Sequence, residues 1–157
     1  SASPHLPGSQ VCSELVQISD LPAMILELAG AAGETTSEFM PQARNPLAVI
    51  RGDIPPRRFA VSEYRNSGYG PGGRYHEPPI HASMIHDGRH KLTLYHGTGE
   101  GELYDLHEDP AEQYDQYADP DCQGLAATLT RHLLDFLVET EVIYHGSRGG
   151  DEAPWRS

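Results

Sequence analysis

Two short apolar segments on either side of Asp87-Gly88 constrain the fold more than any other feature of this 157-residue sequence. They occupy positions 80–95 and alternate between apolar and polar residues, as strands do when one face is buried. A short connection that contains Asp-Gly is typical of a hairpin turn, because glycine adopts the left-handed backbone conformation without steric cost. The sequence therefore predicts an antiparallel hairpin.

The register of this hairpin depends on where the turn lies. A two-residue turn at Asp87-Gly88 would place Met84 opposite Lys91, so that an apolar and a charged side chain would share a face. A three-residue loop over 86–88, with Gly88 in the left-handed conformation, avoids this conflict. We therefore predict that loop, which puts five apolar residues on one face: Ile80, Ala82, Met84, Leu92 and Leu94.

The remaining elements are short, as expected for a chain with 16 glycines and 13 prolines. Further strands are predicted over 15–18, 59–64 and 101–106. Asp119-Pro120 indicates the start of a helix, since Asp is a good N-cap and Pro is tolerated in the first turn. An apolar stripe follows as far as about Val142: Leu125, Leu129, Leu133, Phe136 and Leu137.

An earlier helix is predicted to begin at Ser19 or Asp20 and to end at Gly30 or Gly33. Its apolar residues recur at helical spacing and form one face: Leu21, Met24, Ile25 and Leu28. We interpret this face as part of the core; the alternatives are that it is exposed, or is covered by another domain or a second copy of the chain. Strands without βα alternation, packed by an amphipathic C-terminal helix and preceded by a strand–helix segment, define an α+β fold with about four antiparallel strands.

Charge and composition exclude several classes of function. The formal net charge of −12 repels nucleic acid, and no cluster of Lys and Arg relieves it. No apolar run reaches the length of a membrane span and no signal peptide is visible, so we expect a soluble chain whose localisation stays unknown. Cys12 and Cys122 are far apart in sequence, and no Cys-x-x-Cys pair indicates a metal or redox site.

The sequence pattern does not bring histidines and carboxylates together in a way that indicates a metal or catalytic site. Four histidines crowd the hairpin (His81, His86, His90 and His96), but alternation along the strands separates them, and we predict no metal site. The carboxylates of Asp105, Glu108 and Asp109 lie in turns, where such groups usually accept hydrogen bonds from backbone amides. From spacing alone we predict no catalytic residue in this chain.

Two segments resemble the C-terminal part of sulfatases. Residues 84–92 read M-I-H-D-G-R-H-K-L, similar to the family's I-R-D-G-R-Y-K-L, and residues 101–113 read G-E-L-Y-D-L-H-E-D-P-A-E-Q, similar to its E-L-Y-D-L-x-x-D-P-x-E. We call them the hairpin motif and the acidic motif. Residues 15–30 resemble the V-D-L-x-P-T-L-L-D-L-A-G helix of the same family. Arg51-Gly52 and 61–64 resemble its L-R-G and F-S-E-Y segments, and the resemblance is collinear over about 11–140.

The resemblance implies a small antiparallel sheet and helix that lie beside a large catalytic domain in the parent enzyme. It implies the end of the catalytic domain over 11–58 and a C-terminal subdomain over 59–145. The composition of the two ends, rich in polar residues, predicts a loop or disordered segment over 1–10 and a flexible tail over 146–157. Sulfatases of this family use calcium and a formylglycine made from a Cys/Ser-x-Pro/Ala-x-Arg motif. Neither cysteine here begins that motif, so the resemblance implies that this chain alone is inactive and that its partner is the missing catalytic domain or a second copy of the chain.

One loop is the candidate for contact with substrate in the parent enzyme. Residues 65–79 have no periodicity, and loops of this length in compact domains are often functional or disordered. Four side chains in it supply a cation, aromatic rings and a hydrogen-bond donor suited to the wall of a substrate cleft: Tyr69, Arg74, Tyr75 and His76. Two other functions remain open, namely a phosphonate or phosphate monoester hydrolase of the same alkaline phosphatase superfamily, and a free-standing binding or assembly module.

Overall fold

A computed structural model describes residues 11–31, 40, 42–65 and 79–146, with the side chains beyond 140 left aside. It has an α+β fold, as predicted, with a four-stranded antiparallel sheet and a long C-terminal helix. The chain divides into two compact units. One, which we call the sheet unit, comprises Ser13–Gln17 and Pro56–Leu133; the other, the helical unit, contains Ile18–Pro55 and the chain from Leu134 onward.

The sheet consists of β1 (Ala60–Arg65), β2 (His81–His86), β3 (His90–Tyr95) and β4 (Gly101–Asp105). The strands are adjacent in chain order, and every pair is antiparallel. One row of directly opposed residues crosses all four strands, and all of its members are buried: Val61, Ile85, Leu92 and Leu103. This row is the sheet's contribution to the core.

The predicted register of the hairpin is wrong. Gly88 has a positive φ of 97°, as predicted, but Met84 lies opposite Thr93, and Ile85 lies opposite Leu92. The strands close around a two-residue turn at Gly88-Arg89, because the backbone N–H of Asp87 donates to the carbonyl of His90. Gly88 adopts its positive φ here without the steric cost that a side chain would carry. The register is therefore the one that buries Ile85 and Leu92 opposite each other. Ala82 and Met84 lie on the opposite face of the sheet.

The long helix α3 (Gln123–Gly146) closes the sheet unit with its first part. A short 3₁₀ turn, Pro120–Cys122, leads into it, and the side chain of Asp119 accepts from the N–H of Asp121 as the predicted cap. Two residues of the predicted stripe, Leu129 and Leu133, are buried, whereas Leu125, Phe136 and Leu137 are half-buried. Ala126, which the predicted stripe does not include, is buried as well. The stripe is therefore confirmed as core at Leu129 and Leu133.

Hydrogen bonds from segments outside the strands reach both edges of the sheet among the described residues. At the β4 edge, the Leu103 N–H donates to the carboxylate of Asp115, and the Leu103 carbonyl accepts from the N–H of Gln116. At the β1 edge, the Gln17 side-chain amide donates to the carbonyl of Val61 at 2.6 Å. The strand predicted over 15–18 is therefore absent: a side chain, not a backbone ladder, makes this contact, and a 3₁₀ turn begins at Ile18.

The helical unit contains α1 (Leu21–Leu28) and α2 (Pro46–Arg51). The bounds of α1 agree with the prediction, and Gly30 follows it with a φ of 71°. The interpretation of its stripe as core is wrong within the described residues, because Leu21, Ile25 and Leu28 are all exposed and Ala23 is the buried residue. No helix in the described ranges is long and apolar enough to cross a membrane.

Candidate functional site

The four proposed cleft residues (Tyr69, Arg74, Tyr75 and His76) all lie outside the residues that the structure describes. Their place in a substrate cleft stays a prediction. The same holds for the predicted loop over 1–10 and for the tail beyond 146. Among the described residues, the candidate site is the turn end of the sheet, where the hairpin motif meets the acidic motif.

Asp87 organises the hairpin turn. Its carboxylate accepts from the backbone N–H of Arg89 at 2.9 Å and of His90 at 2.6 Å. Partial burial opposes ionisation, but these two donors and the His90 side chain outweigh it and lower the pKa of Asp87 below its ordinary value. The Asp of the hairpin motif is therefore an acceptor for the turn, and not a free acid.

Arg89 and Asp105 join the two motifs. The guanidinium Nη2 donates to Asp105 Oδ2 at 2.6 Å and its Nε donates to both carboxylate oxygens at 3.1 Å. This charge-assisted fork, with further donation from the N–H groups of His107 and Glu108, holds the pKa of Asp105 well below its usual range. The N–H of Leu106 also donates to the Arg89 carbonyl at 2.8 Å. The pair fixes the end of β4 against the turn.

A second ion pair joins the motifs on the other face of the sheet. The Lys91 ammonium contacts the carboxylate of Glu112 and lies 5.9 Å from the centroid of the Tyr104 ring. Glu112 is the described non-glycine residue with a positive φ, 53°, and its side chain is held by this contact. Asp109 accepts from the N–H groups of Gln113 and Tyr114 at 2.7 and 2.8 Å. The predicted role of the turn carboxylates as backbone acceptors is confirmed for Asp105 and Asp109, whereas the Glu108 carboxylate contacts the His107 ring instead.

One contact that the sequence did not indicate has the form of a nucleophile and base. Ser83 Oγ lies 2.8 Å from His96 Nε2. Ser83, however, is 0% exposed, so no substrate reaches its hydroxyl, and the bond instead satisfies a buried polar group. His96 directly follows β3, and its backbone N–H donates to the His81 carbonyl. The register that we predicted from the sequence is wrong, and it therefore did not indicate this pairing.

The described residues do not fit the calcium and formylglycine chemistry that the family resemblance implies. No three His, Cys, Asp or Glu side chains among them are grouped so that they could hold a metal ion. Cys12 is exposed, and burial raises the pKa of the Cys122 thiol, the opposite of what activates a nucleophile. Asp87, Asp105 and Asp109, the carboxylates of the two motifs, are already engaged with backbone amides and Arg89.

Comparison with solved structures gives clear similarities. A protein assigned as a sulfatase from Bacteroides thetaiotaomicron VPI-5482 matches with a TM-score of 0.59 and 25% identity, over 86% of this chain and 27% of its own. A 2-O GAG sulfatase matches with a TM-score of 0.60, also at 25% identity and over the same shares. A phosphonate monoester hydrolase from Silicibacter pomeroyi has a TM-score of 0.57 at 20% identity, over 76% of this chain and 24% of its own, which shows a shared fold.

The chain spans about a quarter of the length of the solved structures that it matches. No protein-family profile matches the sequence, and no curated protein matches it. The evidence for similarity to known proteins is therefore the shared fold and the 25% sequence identity to the two sulfatases. The resemblance that the two motifs indicate is confirmed: over most of its length, this chain is similar to about a quarter of a sulfatase.

Proposed function

We propose that this chain is the C-terminal segment of a sulfuric ester hydrolase and that its own role is to stabilise the enzyme, not to carry the reaction. The observation that supports this most strongly is the 25% identity to two sulfatases over 86% of the chain. The contacts of the motif residues agree with a structural role. Arg89, Asp105, Lys91 and Glu112 pair with one another and therefore hold the sheet together.

In this proposal the nucleophile and the calcium ion belong to another part of the parent enzyme. Sulfate ester cleavage needs an activated nucleophile and positive charge where the leaving and equatorial oxygens develop charge. Neither Cys12 nor Cys122 is set in a sequence that would be matured to formylglycine. The described carboxylates form no group suited to calcium, which needs six to eight oxygen ligands.

The catalytic part of the parent enzyme is the proposed partner of the helical unit. Ile18, Leu21, Ile25 and Leu28 are exposed in this chain, with Ile18 at 88% and Ile25 at 59%. A run of exposed apolar residues on one segment marks an interaction surface. A second copy of the chain covering these residues is the alternative, and it predicts a dimer of the isolated chain.

The class of substrate is also a proposal. One similar protein is described as a 2-O GAG sulfatase, which favours a sulfated saccharide as the substrate of the parent enzyme. The phosphonate monoester hydrolase shares the fold at lower identity, so a phosphonate or phosphate monoesterase of the alkaline phosphatase superfamily is the second candidate. A free-standing binding module is the third, and it predicts that the gene encodes no catalytic part.

The experiment is to express the longest polypeptide that the gene encodes and to compare its turnover of an aryl sulfate with that of an aryl phosphonate monoester. We expect calcium-dependent turnover of the sulfate at least about a hundredfold above that of the phosphonate, since the developing charge and geometry differ between the two esters. Faster turnover of the phosphonate than of the sulfate would contradict the sulfatase proposal and favour the phosphonate or phosphate monoesterase. A gene that encodes only these 157 residues would contradict both hydrolase proposals.

A further inference from the structure

The two edges of the sheet differ in how fully their outward backbone groups are hydrogen-bonded. At the β4 edge, segments outside the strands bond both the N–H and the carbonyl of Leu103. At the β1 edge, the Gln17 side chain bonds the carbonyl of Val61. Alternate residues of an edge strand direct their backbone groups the same way, so those of Glu63 and Arg65 also point outward. No group in the described part of the chain bonds them.

The closure of the hairpin independently fixes which residues of β1 face outward. The Asp87 N–H donates to the His90 carbonyl, and bonded pairs in an antiparallel ladder recur at every second residue. Ile85, which lies between Val61 and Leu92, therefore directs its backbone groups to Leu92. The backbone groups of Val61, and of every second residue after it, are left at the edge.

The side chains of this open segment carry opposite charges at a spacing that is complementary to itself. Glu63 and Arg65 are both exposed, and they form an ion pair along the strand. Two copies of the strand that pair antiparallel about Tyr64 place each Glu63 opposite an Arg65 of the other copy. Pairing about Glu63 would instead place two carboxylates opposite each other, which is unfavourable. Charge therefore selects the register about Tyr64.

The bond from Gln17 limits the length of such a pairing. It occupies the carbonyl of Val61 at 2.6 Å, so a second strand is free to bond only beyond that residue. Charged side chains on a sheet edge hinder unspecific pairing with other strands. On this edge the same charges favour one short, specific pairing, and the partner that carries the matching charges in the matching order is the chain itself.

We propose that the β1 edge is a self-association site, at which residues 63–65 of two copies pair antiparallel about a two-fold axis at Tyr64. Each Glu63 exchanges backbone hydrogen bonds with an Arg65 of the other copy, and the two four-stranded sheets become one. Both copies use the same segment, so the assembly closes as a dimer. This site does not use the exposed residues of α1, and it does not depend on the proposed function.

The test is sedimentation equilibrium of the purified 157-residue chain over a wide range of concentration, with charge reversals on β1. The variants are Glu63→Lys, Arg65→Glu and the two together. We expect each single reversal to weaken dimerisation at least about tenfold, because like charges then face each other, and the double reversal to restore it to within about threefold. Hydrogen exchange locates the contact: the amides of Glu63 and Arg65 should exchange more slowly as the concentration rises.

The matched control is Asp53→Lys, which changes the net charge by the same amount as Glu63→Lys but in an exposed ion pair of the helical unit. The chain has a net charge of −12, so an effect of overall charge would strengthen association in both variants. The specific pairing instead predicts weaker association for Glu63→Lys alone. Equal behaviour of the two variants would overturn the proposal.

Other results would overturn it as well. A chain that stays monomeric at every concentration would have no such site, and a dimer lost in Ile25→Ser but not in the β1 reversals would associate through α1. In the longest polypeptide that the gene encodes, a monomer with a slowly exchanging Glu63 amide would mean that the rest of that polypeptide pairs with this edge.

Thermal melting checks the fold of each variant. A single reversal breaks the ion pair within the strand, whereas the double reversal keeps it. If a single variant melts early, the double reversal and the unmodified chain decide. Both should dimerise and both should dissociate as salt is added, and failure of the double reversal to dimerise would contradict the proposed register.

Discussion

The central row of the sheet unit and the apolar stripe of α1 in the helical unit differ in burial, although Ala23 and Leu47 of the helical unit are themselves buried. In the sheet unit, Ile85, Leu92 and Leu103 are each 0% exposed and lie in one row across neighbouring strands. In the helical unit, Ile25 is 59% exposed although its spacing along α1 is that of a core residue. The difference shows that periodicity identifies which residues share a face, whereas burial depends on what the rest of the polypeptide places against that face.

The largest effect is expected in the core of the sheet unit. Leu133 is 1% exposed, and Leu133→Ala should lower the free energy of unfolding by about 2–5 kcal/mol, because the substitution leaves a cavity. A denaturant titration of the 157-residue chain measures the loss. A loss under about 0.5 kcal/mol would mean that the sheet unit is not closed by this helix.

A smaller effect is expected where the sheet is covered most closely. A Cβ on Gly101 would lie 2.6 Å from the Tyr117 ring and 3.0 Å from the Thr93 carbonyl oxygen, so Gly101→Ala should cost about 1–3 kcal/mol. Gly124→Ala is the matched control, because nothing lies within 4 Å of its Cβ and alanine favours the helix by about 0.5–1 kcal/mol. Thermal melting should move in opposite directions; a parallel shift would contradict the packing of Tyr117 on β4.

Ion pairs in the two units should contribute differently to the pH dependence of stability. The Arg89 fork lowers the pKa of Asp105, so ionised Asp105 stabilises the fold above its ordinary pKa of 3.8, and this stabilisation is lost as the pH falls below about 4. Asp105→Asn should lower the melting temperature at pH 7 and flatten its decline in acid. Asp53→Asn, in the exposed ion pair of the helical unit, should change both much less. Equal behaviour of the two variants would show that Arg89 and Asp105 do not hold the motifs together.

The smallest effect is expected on the exposed face of α1. Ile25→Ser should change the stability of the 157-residue chain by less than about 0.5 kcal/mol, since the side chain is already in water. In a longer protein whose catalytic part covers this face, the same substitution should cost more, about 1–2 kcal/mol. Paired denaturant titrations of the two proteins measure the difference. An equally small loss of stability in the two proteins would mean that the catalytic part does not cover α1, which contradicts the proposed partner.

Most of the described elements were predicted from the sequence because their signals are local, although the strand predicted over 15–18 is absent. Asp119-Pro120 marks a helix start, Gly88 has the positive φ that its turn requires, and α1 spans Leu21–Leu28 as its apolar spacing indicates. The α+β class follows from the order of these elements. The acceptor role of Asp109 could also be predicted, because an Asp before Pro in a turn is well placed to accept from backbone amides.

The hairpin register was not predictable from alternation alone. Both faces of β2 carry apolar residues, Met84 on one and Ile85 on the other, and the choice depends on a tertiary fact, the burial of the row that also contains Leu103. The ion pairs between the two motifs also depend on tertiary structure, since Arg89 and Asp105 are 16 residues apart and meet where β4 lies beside the hairpin turn. The four cleft candidates lie outside the described residues and are untested.

The residues that make this chain resemble a sulfatase take part in contacts within the fold, and our proposal is that they do not perform catalysis. The most direct measurement is turnover of a chromogenic aryl sulfate by the purified 157-residue chain, with and without added calcium. We expect no turnover above buffer in either condition, since neither cysteine lies in a maturation motif and no described group of side chains is suited to hold the ion. Calcium-dependent multiple turnover that survives re-purification would contradict the claim.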